Sequence, residues 1–208
     1  MDCFDKDKSF FLFNLYFLKN LFASKNNKKF TRDVLGIEDK TTLLLMSGSM
    51  GYGNVIKILK DICLLPYDFQ IITVCGNNKS LKKKIDKLDL GKKIYNFGFT
   101  DQIDSFMDAS DIIITKPGGL TVSEAMAKEL PMILINPIPG QEERNREFLV
   151  NNGAAMAHSS TLTAAELLYQ IYTGSGRIDR MKENIKVIKK PNAAKDIVDF
   201  LIKKVLEK

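Results

Sequence analysis

The sequence predicts an α/β fold, a Rossmann-like parallel sheet flanked by helices, from about residue 41 onward. Short apolar runs recur (Leu43–Met46, Ile71–Val74, Ile112–Ile114, Met132–Ile135), each soon followed by glycine, proline or asparagine. Stretches of helix length and helix-like apolar spacing lie between them. Apart from Thr73, the runs are apolar rather than alternating. That marks strands buried on both faces, as in a parallel sheet whose crossover helices cover it above and below.

Taken in order, Thr42–Ser47 is the first strand, and the glycine-rich turn Gly48-Ser-Met-Gly-Tyr-Gly53 follows it. Asn54–Leu65 is a helix stopped by Pro66, and Gln70–Cys75 a strand ended by Gly76-Asn-Asn78. Ser80–Leu88 is a basic helix before Gly91, Lys93–Phe97 a strand, and Gln102–Ala109 a short helix. Asp111–Thr115 is a strand broken by Pro117, Gly118 and Gly119. Leu120, Val122, Ala125 and Met126 then give helix Gly119–Glu129 its apolar spacing. Pro131–Asn136 is the next strand and Pro137-Ile-Pro-Gly140 a rigid loop. Glu142–Asn151 is a helix closed by Gly153, and Ala154–Ala157 a short strand. Thr163–Tyr172, Arg177–Ile188 and Pro191–Leu206 are the last helices, the final one starting on its proline.

At 208 residues the chain suits one domain with an extension, and 45% apolar with 27% charged residues is ordinary for a globule. Net charge is +6, with lysines 82–84 and the C-terminal lysines on solvated faces; a weak attraction to anionic lipid is the functional reading. No aromatic-interleaved basic motif points to nucleic acid. Cys3, Cys63 and Cys75 fit no zinc pattern and suit a reducing compartment. His158 is the only histidine, which excludes a multi-His metal site, and a structural role is favoured over a catalytic one. No apolar run is long enough to span a bilayer, and the acidic start Met-Asp-Cys-Phe-Asp fits a secretory signal poorly. Residues 1–30 carry seven of the thirteen phenylalanines and read as a Phe-rich extension or stub, as a docking surface, or as an interfacial helix on a membrane. Residues 31–208 form the domain.

In an open parallel sheet, ligands bind at the C-terminal strand ends, so the loops Gly48–Gly53, Gly98–Asp101, Lys116–Glu124 and Asn136–Asn145 form one expected site. The strand–glycine turn–helix at Lys116–Glu124 aims free amides and a positive helix end at an anion, with Thr121 and Ser123 adding hydroxyls. Gly118 and Gly119 let the ligand approach the backbone. Glu124 would repel a phosphate but can accept bonds from sugar hydroxyls; the plainer alternative is a carboxylate complementing the helix dipole. The order G-x-x-G-x-G in Gly48–Gly53 is neither the dinucleotide fingerprint nor a P-loop, since Asn54-Val55 stands in place of Lys-Ser/Thr.

Thr115-Lys-Pro-Gly-Gly-Leu-Thr-Val-Ser-Glu-Ala125, Ile135-Asn-Pro-Ile-Pro-Gly-Gln-Glu-Glu-Arg-Asn145 and Asn152-Gly-Ala-Ala155 together resemble one family. It is the C-terminal half of the processive diacylglycerol glucosyltransferases and monogalactosyldiacylglycerol synthases. These are similar in turn to the N-acetylglucosamine transferase of lipid II assembly. The resemblance covers about residues 28–205. It implies the single C-terminal-type domain of a GT-B fold that binds a UDP-sugar, UDP-glucose or UDP-galactose, as donor substrate, with no cofactor or metal. Ser49 and Gly51 match the phosphate-contacting turn, although Ser47 stands where relatives often have Gly. Phe99 and Thr100 match the uracil-holding segment. Gly119, Leu120 and Thr121 match the phosphate-facing helix start, and Glu124 the ribose-binding acid. Gln141, Glu142 and Asn145 match the donor-sugar contacts. The implied acceptor is a diacylglycerol-type lipid, and the implied place is cytoplasmic, peripheral on the inner face of the membrane. The family's catalytic base lies in an N-terminal acceptor domain, so no catalytic residue is assigned. The expected function is therefore the donor-binding half of an inverting hexosyltransferase. The alternatives are the donor subunit of a split N-acetylglucosaminyltransferase, with a separate acceptor subunit, and a non-catalytic nucleotide-sugar-binding remnant.

Overall fold

A computed structural model describes residues 26–46 and 54–206. The Phe-rich stretch up to residue 25, the turn Gly48–Gly53 with Ser49 and Gly51, and Cys3 lie outside the described residues. Six strands form one parallel sheet in the order β3-β2-β1-β4-β5-β6. They are β1 (Thr42–Met46), β2 (Gln70–Val74), β3 (Ile94–Phe97), β4 (Ile112–Thr115), β5 (Met132–Leu134) and β6 (Ala155–Ala157). The helices are α1 (Lys28–Leu35), α2 (Val55–Cys63), α3 (Lys79–Ile85), α4 (Ile103–Ala109), α5 (Gly119–Ala127), α6 (Gln141–Asn151), α7 (Ala164–Thr173), α8 (Arg177–Ile188) and α9 (Ala193–Leu206). This is the doubly wound order, with its reversal between β1 and β4.

Successive strand side chains point to opposite faces, so each buried strand feeds two cores. Leu43, Leu45, Ile71, Ile112 and Ile114 pack with Ile58, Leu59 and Ile62 of α2 and Leu167, Leu168 and Ile171 of α7. Leu44, Met46, Ile72 and Ile113 pack with Phe106 and Met107 of α4, Val122, Ala125 and Met126 of α5, Leu149 of α6 and Ile185 of α8. Every expected strand and helix is present. β5 stops two residues short of its expected end because Asn136 turns left-handed (φ 43°) ahead of Pro137.

The sequence reading assigns no element to α1. It begins at Asn27, whose side chain accepts from the Phe30 N–H, ends at Gly36 (φ 66°), and runs across residue 30. It packs on α4 and holds the N-terminal ends of β1 and β4 by charge. Asp111 Oδ2 accepts from Arg32 Nη2 (2.7 Å) and from the Thr42 N–H (2.8 Å), and Asp111 Oδ1 meets Lys28 Nζ at 2.6 Å. Arg32 Nε donates to the Ala109 carbonyl at 2.9 Å. Nearby, the fully buried Asp108 pairs with Lys128 (2.8 Å) and accepts from Asn26 Nδ2 (2.9 Å). The N-terminal rim of the sheet is thus closed by internal ion pairs.

Asp111→Ala leaves buried Arg32 with only Asp39 for counter-charge. The expected cost is about 3 kcal/mol, the scale for breaking a buried pair from one side. Urea unfolding checks this; a loss below about 1 kcal/mol would mean that α1 is held by packing alone.

Candidate functional site

At the opposite rim the strand ends are level. The pairings Phe97–Val74, Val74–Met46, Met46–Thr115, Thr115–Leu134 and Leu134–Ala157 set six terminal residues in one row. The loops leaving β3, β4 and β5 therefore share one edge, about 19 Å across four strand spacings. The loop leaving Met46 starts from the same row, next to Thr115.

Two of these loops open helices, and the two helix starts are electrically different. At α5 the N-cap is Gly118, which has no side chain to cap with, and the first turn carries no acid. The first intrahelical bond is Val122 N–H to the Gly118 carbonyl (3.0 Å), and no described acceptor meets the amides of Gly119, Leu120 and Thr121. At α6 the first turn holds Glu142 and Glu143. Glu143 Oε2 accepts from the Gly140 N–H at 3.1 Å, and Glu142 Oε2 from the Ile138 N–H at 2.7 Å. Helix α6 thus carries negative charge in its first turn, whereas α5 presents its free amides and positive dipole end without an acid beside them. Of the two helix starts, that of α5 has the field that suits an anion.

The two loops are tied together. Asn145 is 4% exposed, and its Nδ2 donates to the Pro117 carbonyl at 2.9 Å. Glu142 Oε1 lies 3.9 Å from where a Cβ on Gly118 would sit. Asn145, expected as a sugar contact, therefore has its amide nitrogen engaged inside the wall of the site. Glu142 keeps Oε1 beside the Gly118 turn. Gln141 is exposed at the first position of α6. Asn136 (φ 43°) and Gly140 (φ 99°, ψ −105°) bend this loop back over the rim; only glycine readily adopts the second conformation.

Along α5, Val122, Ser123, Ala125 and Met126 face the core. Ser123 is therefore buried rather than adding a hydroxyl at the helix mouth. Leu120, Thr121 and Glu124 form the opposite stripe, with Leu120 47% exposed and Glu124 half-buried one turn further along. The Glu124 carboxylate has no hydrogen bond or ion pair among the described residues. Burial alone pushes its pKa from 4.5 up to about 7. Three strands away, Phe99 is 76% exposed, and Thr100 Oγ1 accepts from the Gln102 N–H at 3.1 Å, steadying the start of α4. Phe99, Leu120 and Ile138 (54% exposed) place three large apolar side chains on this rim.

The sequence reading missed the Pro117 carbonyl and the Ile138 N–H, because both act through the backbone. The Gly140–Glu143 cap was legible as a Glu three residues past an N-cap. His158 follows β6 on this same rim, its backbone N–H bonded to the Leu134 carbonyl at 2.8 Å. Burial pushes the thiols of Cys63 and Cys75 up to about 11, so both are protonated and unsuited to catalysis. Among the described residues no group of three or more His, Cys, Asp and Glu side chains is placed to hold a metal ion.

Two expectations follow from these positions. Folded Glu124 holds its proton to higher pH than the unfolded chain does, so its contribution is most favourable below about pH 4.5, declines as pH rises and levels off above about 7. Glu124→Gln, which lacks this decline, should gain about 3 kcal/mol on the parent protein between pH 4.5 and 8; unfolding in urea at several pH values reads the gap, and a constant gap contradicts it. Asn145→Ala leaves the buried Pro117 carbonyl without its donor and should cost about 1–3 kcal/mol in the same measurement.

Comparison with known proteins agrees with this architecture. Residues 42–200 match the glycosyltransferase family 28 C-terminal domain. The chain is 35% identical over 170 residues to the processive diacylglycerol beta-glucosyltransferase of Bacillus subtilis (strain 168), covering 79% of this chain and 44% of that protein. It is 36% identical over 173 residues to the enzyme of the same name from Bacillus cereus (strain AH187), covering 79% and 43%. The chain thus spans less than half the length of these curated relatives. Among solved structures, Acinetobacter baumannii MurG superposes with a TM-score of 0.68 at 22% identity, covering 88% of this chain and 55% of that one. Anabaena Alr3699/HepE, solved in complex with UDP-glucose, superposes with 0.62 at 19% identity, again covering 88% and 55%. The fold is that of the C-terminal domain of GT-B glycosyltransferases, and the chain belongs to the glycosyltransferase family 28 C-terminal domain family.

Proposed function

We propose that this chain is the donor-binding half of an inverting glycosyltransferase that moves glucose from UDP-glucose to a diacylglycerol-type lipid. The observation that carries the reading is Glu124, a half-buried carboxylate without a partner, one turn beyond the unfilled amides of α5. Isolated burial of such a group is costly, and the two hydroxyls of a ribose are donors of the right kind to relieve it. The phosphates lie on the Gly119, Leu120 and Thr121 amides. The uracil lies toward Phe99 and Thr100, along the rim past β1. The hexose lies toward Gln141 and Glu142 Oε1. Charged and neutral parts of the ligand then follow the electrostatics of the rim in order.

In the reaction, an acceptor hydroxyl oxygen bonds to the anomeric carbon as the bond from that carbon to the β-phosphate oxygen breaks. The electron pair leaves with UDP, and the hydroxyl proton goes to a base. The α5 amides face the oxygens on which charge builds, a preorganised field stronger for the leaving group than for the intact donor. Neither Glu142 nor Glu143 serves well as the base, because both already accept backbone N–H bonds. The base belongs to the part of the relatives that this chain does not match. Glucose is favoured over galactose by the names of the Bacillus relatives. Their activity also supports a catalytic enzyme over a remnant, and a diacylglycerol acceptor over the split N-acetylglucosamine system. A lipid acceptor and a nucleotide-sugar donor together suit a peripheral protein on the cytoplasmic side of a membrane; no described helix is long and apolar enough to cross one.

Calorimetry with UDP tests the donor site directly. Binding to the folded chain at up to millimolar ligand is expected, and Glu124→Ala should weaken it by roughly 1.5–3 kcal/mol, the loss of a charged hydrogen bond. Absence of heat from folded protein removes the reading; unchanged affinity in the variant removes Glu124 from the site.

A further inference from the structure

Away from the rim, a cavity of about 370 Å³ lies between α8 and the outer edge of β6. Arg177, Arg180, Met181 and Asn184 line it from one stripe of α8, at helical spacings of three and four, and Ala155 and Met156 line it from the strand. Arg177 Nε is buried with no hydrogen-bond partner, and its Nη1 meets only the Met156 sulfur at 3.8 Å, a weak acceptor. Arg180 Nη1 reaches the Ser175 carbonyl at 3.0 Å. No ion pair with a carboxylate is found for either guanidinium among the described residues, although Asp179 lies between them in sequence. Arg32 on α1 shows the other pattern, paired with Asp39 and Asp111.

The turn before α8 is built to fold both guanidiniums back. A Cβ on Gly174 would meet Arg177 Nε at 3.0 Å and the Gln170 carbonyl at 2.7 Å, and one on Gly176 (φ 67°) would meet Arg180 Nη1 at 3.3 Å. Asn184 Nδ2, bonded to the Gly153 carbonyl at 3.1 Å, fixes the far wall. A guanidinium held at a cavity without a counter-charge has an unmet requirement that a multi-oxygen anion satisfies through forked hydrogen bonds.

We infer that this cavity is a second anion site, distinct from the rim, which takes the phosphate group of a phosphorylated molecule between Arg177 and Arg180. The walls of Met156, Met181 and Ala155 accommodate an apolar portion beside that group. The shared chemistry is a phosphate ester; its source is a soluble metabolite or a lipid headgroup.

Nitrogen–proton spectra of the arginine Nε–Hε groups, recorded on the full chain with UDP present in excess, test the site. Inorganic phosphate and, separately, vesicles of phosphatidylglycerol or phosphatidylcholine are the probes. Saturable shifts of the Arg177 and Arg180 signals at about millimolar phosphate, weakened about fivefold or more in Arg180→Gln, support a soluble ligand. A response to phosphatidylglycerol alone, also lost in Arg180→Gln, supports a headgroup. Shifts that stay linear with phosphate together with silence toward both vesicles overturn the proposal, as does any response that Arg180→Gln leaves unchanged. Arg180 is exposed, so its replacement spares the core. The readout is the two arginines themselves, so its failure is separable from any failure of UDP to bind at the rim.

Discussion

Met46, Thr115 and Leu134 finish side by side because β1, β4 and β5 run parallel and in register. A slip of one residue would turn each strand's side chains to the other face and exchange the two cores. That register therefore carries two loads. It sorts Leu43 and Leu45 from Leu44 and Met46, and it brings loops well separated in sequence to one edge. Everything proposed for the rim depends on that level line of strand ends.

The two rims of the sheet differ in how their charged groups are met. At the N-terminal ends, Asp111, Arg32, Lys28, Asp108 and Lys128 neutralise one another, and α1 covers the edge. At the C-terminal ends, polar groups are left unmet: three amides at the start of α5 and the carboxylate of Glu124. Unmet groups in a folded protein cost free energy, and those that open onto the rim are where a ligand can complete the structure. The contrast between α5 and α6 sharpens this. Both follow strands on the same rim, but the first turn of α6 carries Glu142 and Glu143, which bond the loop amides of Ile138 and Gly140, while the first turn of α5 carries no acid. Asn145 then holds the two helix starts at a fixed separation through the Pro117 carbonyl. A long donor with a charged middle and neutral ends suits such a surface.

Much of the fold was legible because apolar runs and glycine or proline breaks are local signals. Strand Ile112–Thr115, its turn and helix α5 could be read from composition alone. Helix α1 was not legible. Its mean hydropathy is low, and it is held by Arg32 and Lys28 reaching Asp111, some eighty residues away. The candidate site was legible to the extent that it consists of helix starts and loops. Its wiring was not. Ser123 reads as a hydroxyl in the first turn but is buried by the rotation of α5, and Asn145 reads as one more polar side chain of a motif.

What the amino-acid order determined by itself was the succession of elements, the positions of the turns and the residue types available at each loop, since propensity and periodicity act over a few neighbours. What only the tertiary structure decided was which of those residues meet. Burial of Glu124, engagement of Glu142 and Asn145 with backbone groups, and the isolation of Arg177 at the β6 edge all arise from contacts across long stretches of chain. Such contacts depend on how faces pack and how strands align, and the free energy of a charge or an amide is set by what surrounds it in space rather than by what precedes it in sequence.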